Sequence, residues 1–166
     1  MENKKEYRNW LNQMNLEHPL VIAGPCSAET EEQVLKIANQ LKESDVTAYR
    51  AGIWKPRTRP GMFEGVGAIG LKWLQRVKEE TGLMIATEVA KSVHVDLALE
   101  HDVDILWIGA RSTVSPFIVQ EIADALQRLT SLKTLALDHN DIEPAGTAAI
   151  AGALQRLTSL KTLDLS

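Results

Sequence analysis

Apolar residues along this chain follow two alternating rhythms. Four short apolar runs, Leu20–Ala23, Thr47–Ile53, Leu83–Thr87 and Ile105–Ile108, read as strands of a parallel sheet buried on both faces. Between them, apolar residues recur every three or four positions. Val34, Ile37, Ala38 and Leu41 mark a helix within Thr30–Glu43. Ile69, Leu71, Leu74 and Val77 mark a second within Val66–Thr81, with Gly82 as its stop. Ser92–Glu100 follows with Ser92 as cap, and Ser115–Arg128 has Pro116 at its first helical position. Phe117, Ile118, Ile122 and Leu126 of that last helix are expected to face inward. Strand then helix, four times over, predicts right-handed βαβ units. Near the N-terminus, Tyr7, Trp10, Leu11 and Met14 form an amphipathic stripe that reads as core.

The last quarter carries an echo. ALQRLTSLKTL occurs at Ala125–Leu135 and again, unchanged, at Ala153–Leu163, 28 residues further on. Natural repeats drift, because many sequences satisfy the same packing, so an unblemished copy points to a recent duplication or to design. Leu132, Leu135, Leu137, Asn140 and Ile142 fit LxxLxLxxNxI, and Leu160, Leu163 and Leu165 begin the pattern again. This frame resembles a leucine-rich repeat of the ribonuclease-inhibitor type, with Glu143–Leu157 as its helix. Thr134, Ala136, Asp138, Thr162 and Asp164 would then lie on the open, concave side. One repeat and a fragment cannot bury their own apolar face, so they must stack on the βα unit before them.

Composition narrows the classes without choosing among them. The chain has 166 residues, 45% of them hydrophobic, and a net charge of −4 that argues against a nucleic-acid footprint. A single cysteine, Cys26, excludes an internal disulfide and fits a reducing compartment. MENKKEYRNW lacks an apolar signal core, and no apolar run approaches membrane-spanning length. A cytoplasmic setting, with no membrane partner, is expected.

Candidate chemistry gathers at the strand ends. VIAGPCSAE (Val21–Glu29), RAGIWKPRT (Arg50–Thr58) and WIGARS (Trp107–Ser112) each sit at or just past a strand, and Glu88 ends the third strand at the same level. In a (β/α) barrel that rim is where ligands bind. Lys55 and Arg57 share one loop, and Arg111 leaves its strand after the small Gly109 and Ala110. Three cations at matching strand ends suit phosphate and carboxylate oxygens. These motifs, in this order and spacing, strongly resemble 3-deoxy-D-arabino-heptulosonate 7-phosphate (DAHP) synthase over roughly His18 to Leu126. KPRT favours that family over the related octulosonate-phosphate synthases.

The resemblance implies a condensation of phosphoenolpyruvate with erythrose 4-phosphate, at the entry to the shikimate pathway. It implies Arg50, Lys55 and Arg111 as phosphoenolpyruvate contacts, Arg57 and Thr58 as sugar-phosphate contacts, and Glu88 as an active-site carboxylate. It also implies Cys26 as a ligand to a divalent metal that activates the aldose carbonyl. The resemblance stops after the fourth βα unit, however, and the family's remaining ligands come from later strands. No histidine substitutes: His18 and His101 precede strands, His94 is helical and His139 lies in the repeat. Cys26 is therefore expected as a small buried residue, an incomplete remnant of the ligand set, with no bound cofactor.

These readings combine into one expectation. A half (β/α)8 barrel, residues 1–124, continues into leucine-rich-repeat βα units, residues 125–166, as an open curved parallel sheet of about six strands with helices on the convex face. The exact echo makes this an engineered chimera without evolved catalytic activity, keeping a remnant phosphate site. An active or split DAHP synthase is the alternative, and a leucine-rich-repeat binding module is a second. A homodimer through the exposed inner sheet face is the expected partner, with weak binding of phosphate or sulfate.

Overall fold

The computed structural model describes residues 20–59, 61–127, 134–136 and 162–164. Six strands lie in one parallel sheet in sequence order: β1 (Ile22–Ala23), β2 (Ala48–Arg50), β3 (Met84–Val89), β4 (Ile105–Ile108), β5 (Thr134–Ala136) and β6 (Thr162–Asp164). Helices α1 (Glu31–Leu41), α2 (Ile69–Thr81) and α3 (Ser92–Glu100) connect the first four strands; α4 (Ala110–Thr113) and α5 (Pro116–Gln127) follow β4. The expected alternation therefore holds through β4, as four parallel βαβ-linked strands.

Strand alternation divides the apolar residues between two faces. Tyr49, Ile85, Leu106 and Ile108 point to the helices and meet Val34 and Ala38 of α1, Leu71, Leu74 and Val77 of α2, Val95 of α3, and Ile122 and Leu126 of α5. Ala48, Ala86 and Ile105, with Met84 and Trp107 beside them, form a smaller cluster on the opposite, inner face. The registers Ala48↔Met84, Ala86↔Ile105 and Glu88↔Trp107 put that face in rows. Within the larger core the Tyr49 hydroxyl donates to Val34 O at 2.9 Å, and burial pushes the phenol well above its ordinary value.

Local chemistry explains where the helices start and stop. Thr30, expected inside the first helix, is its cap instead: Oγ1 accepts the Gln33 N–H at 3.1 Å, while Gln33 Oε1 accepts Glu29 N–H at 2.9 Å. Gly82 ends α2 in the left-handed conformation at φ 74°, its N–H bonded to Lys78 O, as expected.

Several expectations need correction. Ser92 is the first residue of α3, not its cap; Lys91 holds that place without a side-chain cap bond. Phe117 is 88% exposed and Ile69 50% exposed. Phe117 lies two residues, about 200° of helix, from the buried Val119, so the inward stripe passes through Val119, Ile122, Ala123 and Leu126 instead. The segment after β4, on which Arg111 was expected to leave its strand toward the site, is the single turn α4, with Ser112 and Thr113 N–H both bonded to Gly109 O. Arg111 thus leaves the inner face that Trp107 and Ile105 share. The repeat helix, Asp138 and the N-terminal stripe lie outside the described residues.

Candidate active site

The carboxyl ends of β1 to β4 bring three of the expected residues into contact. Lys55 follows β2 on a loop tied at several points: its N–H donates to Glu64 O at 2.8 Å, Gly67 N–H donates to Ile53 O at 2.9 Å, and Ala28 N–H donates to Gly52 O at 3.0 Å. From this loop Lys55 Nζ donates to Cys26 O at 2.9 Å and reaches Cys26 Sγ at 3.5 Å. It lies 3.6 Å from Glu88 Oε2, and the two side chains are 9% and 11% exposed. A buried ammonium and carboxylate are tolerated only as partners, so each holds the other in place.

Glu88 fits because of what stands beside it. A Cβ at Gly109 would lie 1.9 Å from Glu88 Oε1, so the side chain occupies space that only a glycine leaves open. At the end of β2, the Arg50 guanidinium lies 5.4 Å from the centroid of the Trp107 ring. Arg50 Nε is buried without a partner, as are the hydroxyls of Ser27, just past β1, and Ser112, just past β4. Each such orphan costs about 1–3 kcal/mol, and all three belong to the same rim of the sheet.

The other expected residues stand apart from this cluster. Arg57 is partly buried and its Nε donates to Phe63 O at 2.7 Å, which folds the guanidinium onto its own loop. Thr58 is exposed, and Arg111 is exposed on α4. Cys26, expected to be buried, is exposed, and the Lys55 ammonium lies 3.5 Å from its Sγ. Among the described residues no three His, Cys, Asp or Glu side chains come together as metal ligands. A thiol facing an ammonium, with a single carboxylate nearby, does not fit a divalent ion, so the described residues do not make the metal centre that the resemblance implies.

A ring pair at the same end of the sheet had no signal in the sequence. Trp54, next to Lys55, stacks on His94 of α3, with centroids 4.1 Å apart and planes 4° from parallel. His94 Nδ1 accepts the Ala90 N–H at 3.3 Å. Burial holds the imidazole down to about 4; nearby Lys91 pushes the same way and Glu121 opposes. Forty positions separate the two rings, and no periodicity links them. Of the other histidines, His101 closes α3 with Nδ1 2.9 Å from Leu97 O, while His18 and His139 lie outside the described residues.

Parallel strands with a charged cluster at their carboxyl ends are the architecture of (β/α)-barrel proteins. The sequence profile of the DAHP synthetase I family matches residues 15–146, and the chain belongs to that family. It is 38% identical over 92 residues to a phospho-2-dehydro-3-deoxyheptonate aldolase of Thermotoga maritima, covering 55% of this chain and 27% of that protein. It is 35% identical over 98 residues to a 2-dehydro-3-deoxyphosphooctonate aldolase of Campylobacter jejuni, covering 55% of this chain and 36% of that one. The chain thus spans about a third or less of these relatives. Among solved structures, the Thermotoga maritima DAHP synthase superposes with a TM-score of 0.66 over 89% of this chain and 40% of its own, at 24% identity. A truncated form of a Thermotoga maritima synthase gives 0.61 over 87% and 48%, at 22% identity. Both speak for the fold.

These findings overturn the expectation of an engineered chimera that is not an enzyme. The chain is a member of an enzyme family, its relatives named above are aldolases, and the alternative reading, a synthase, is the one they favour. None of those relatives is a leucine-rich-repeat protein. No described helix is long and apolar enough to cross a membrane.

Proposed function

We propose that this chain binds phosphoenolpyruvate at the carboxyl ends of β1 to β4 and serves its condensation with erythrose 4-phosphate, the DAHP synthase reaction. The observation that carries this reading is the buried Lys55 cation together with polar atoms that lack partners at the same ends of the strands: Arg50 Nε, Ser27 Oγ and Ser112 Oγ. A substrate with a phosphate and a carboxylate supplies the acceptors that such donors need. In this reading Arg50 and Lys55 hold phosphoenolpyruvate, and Arg111 swings in from α4 to complete the grip. Glu88 keeps the Lys55 ammonium aimed at the site, and Arg57 and Thr58 take the phosphate of the aldose.

The test has two stages. Calorimetric titration with phosphoenolpyruvate should show binding tighter than about 1 mM, equivalent to about −4 kcal/mol, that weakens with salt. Inorganic phosphate or sulfate alone should bind more weakly. Incubation with both substrates should then consume phosphoenolpyruvate, and Lys55→Met should lower that rate at least about a hundredfold, as loss of one charged donor does elsewhere. No heat of binding at millimolar substrate sinks the proposal.

For the C-terminal quarter we propose the finer reading of leucine-rich units continuing the parallel ladder. Support comes from the register: Thr134 pairs with Thr162 and Leu135 with Leu163, so the 28-residue echo places equivalent residues opposite one another. We also propose a second copy of the chain as the partner of the inner sheet face.

A further inference from the structure

Trp54 lies between Ile53 and Lys55, on the loop that delivers the buried cation, and is itself buried. Its stack with His94 is close and nearly parallel. Flat contact between two rings fixes tilt as well as position, which a single aliphatic contact does not. The imidazole is anchored in turn. Its Nδ1 holds the Ala90 N–H, and α3 begins where Glu121 Oε1 of α5 accepts both the N–H and the O–H of Ser92, at 2.8 and 2.7 Å. On either side of Trp54 in sequence, the loop is tied by Gly67 N–H to Ile53 O and by Lys55 N–H to Glu64 O. Trp54 therefore joins helix α3 to the residue whose Nζ meets Cys26 and Glu88.

Lys55 has four rotatable side-chain bonds, and its ammonium is useful to an anion only where the backbone aims it. We propose that Trp54 and His94 are positioning residues for Lys55, their stack fixing the backbone from which its ammonium reaches the strand ends. This rests on the reading of Lys55 as a phosphoenolpyruvate contact. The environment suits the role. Burial keeps the imidazole uncharged at neutral pH, with Lys91 just before its helix reinforcing this and Glu121 of α5 opposing it, so the ring supports the loop without adding a charge of its own.

Two substitutions separate the ring from its hydrogen bond. His94→Asn removes the ring and keeps an acceptor for Ala90 N–H; His94→Phe keeps a flat ring and removes the acceptor. In the full chain, His94→Asn should speed hydrogen exchange at the Lys55 and Gly67 amides about tenfold, with Val34 in α1 unchanged. It should weaken phosphoenolpyruvate binding about fivefold, because a misaimed donor loses contact energy. His94→Phe should match the parent protein in both readouts. Equal behaviour of the two variants, loosening by His94→Phe alone, or loosening that spreads to α1 overturns the proposal. Should the parent protein bind no phosphoenolpyruvate, the proposed function falls, and the exchange pattern alone still decides whether the stack positions the loop.

Discussion

At the scale of single residues, two glycines show how the same absent atom serves different ends. At Gly109 a Cβ would press on Glu88 Oε1, the movable end of a side chain. Gly109→Ala should therefore be absorbed by rotation of the carboxylate, with Lys55 still held by Cys26 O, so that the loss falls on phosphoenolpyruvate binding more than on stability. At Gly24, with φ 147°, a Cβ would lie 2.0 Å from the backbone oxygen of Arg50, which cannot swing aside. Gly24→Ala should cost about 3 kcal/mol or more, seen as a lowered urea midpoint. Comparable losses for the two variants would contradict this account.

His94 gives a pH dependence at the same scale. Its folded pKa lies below the unfolded one, so the unfolded chain takes up the proton first as pH falls. The contribution is full above about pH 6.5 and is lost progressively down to about pH 4, where it levels. After allowance for solvent around a partly buried ring, about 2 kcal/mol should disappear across that window. Urea unfolding of the parent protein and His94→Phe between those pH values checks it: the difference in slope should vanish if His94 is not the group.

At the scale of elements, α3 illustrates a cap supplied from elsewhere. Lys91 offers its first turn no side-chain acceptor, and Glu121 of α5 fills the role by accepting from Ser92. These hydrogen bonds hold the Glu121 carboxyl below its ordinary value, so the cap persists through neutral pH and fails only as the carboxylate is protonated, on the acid side of the usual carboxylate range. Glu121→Ala should destabilise the protein by about 1 kcal/mol, the usual cost of a lost helix cap, and Glu121→Gln should recover part of it. Thermal unfolding of the two variants measures both. The sequence marked Ser92 correctly as a boundary residue but assigned it the wrong part, because local spacing cannot show a carboxylate 29 positions away.

At the scale of the whole molecule, the two sheet faces have unequal cover. The helix-facing side is a continuous core, whereas the inner face carries a small apolar cluster, with Ile22 of β1 41% exposed and Met84 and Trp107 half-buried. Covering several hundred Å² of such a surface is worth several kcal/mol at about 25 cal/mol per Å². A twofold dimer through this face is the expected outcome at micromolar concentration, measured by light scattering. A single species of 18.4 kDa would rule it out.

The sequence by itself determined the order of strands and helices through Ile108, the stop at Gly82 and the rim on which Arg50, Lys55 and Glu88 fall, because strand and helix periods and turn residues are local properties. The KPRT and GPCSAE motifs also carried the family. Only the tertiary structure decided that Lys55 pairs with Glu88, that Arg111 leaves the inner face on a turn of helix, that Phe117 faces outward, and that Trp54 meets His94. Each of these depends on which surfaces come together across forty residues or fewer of intervening chain, and packing free energy, not local preference, makes that choice.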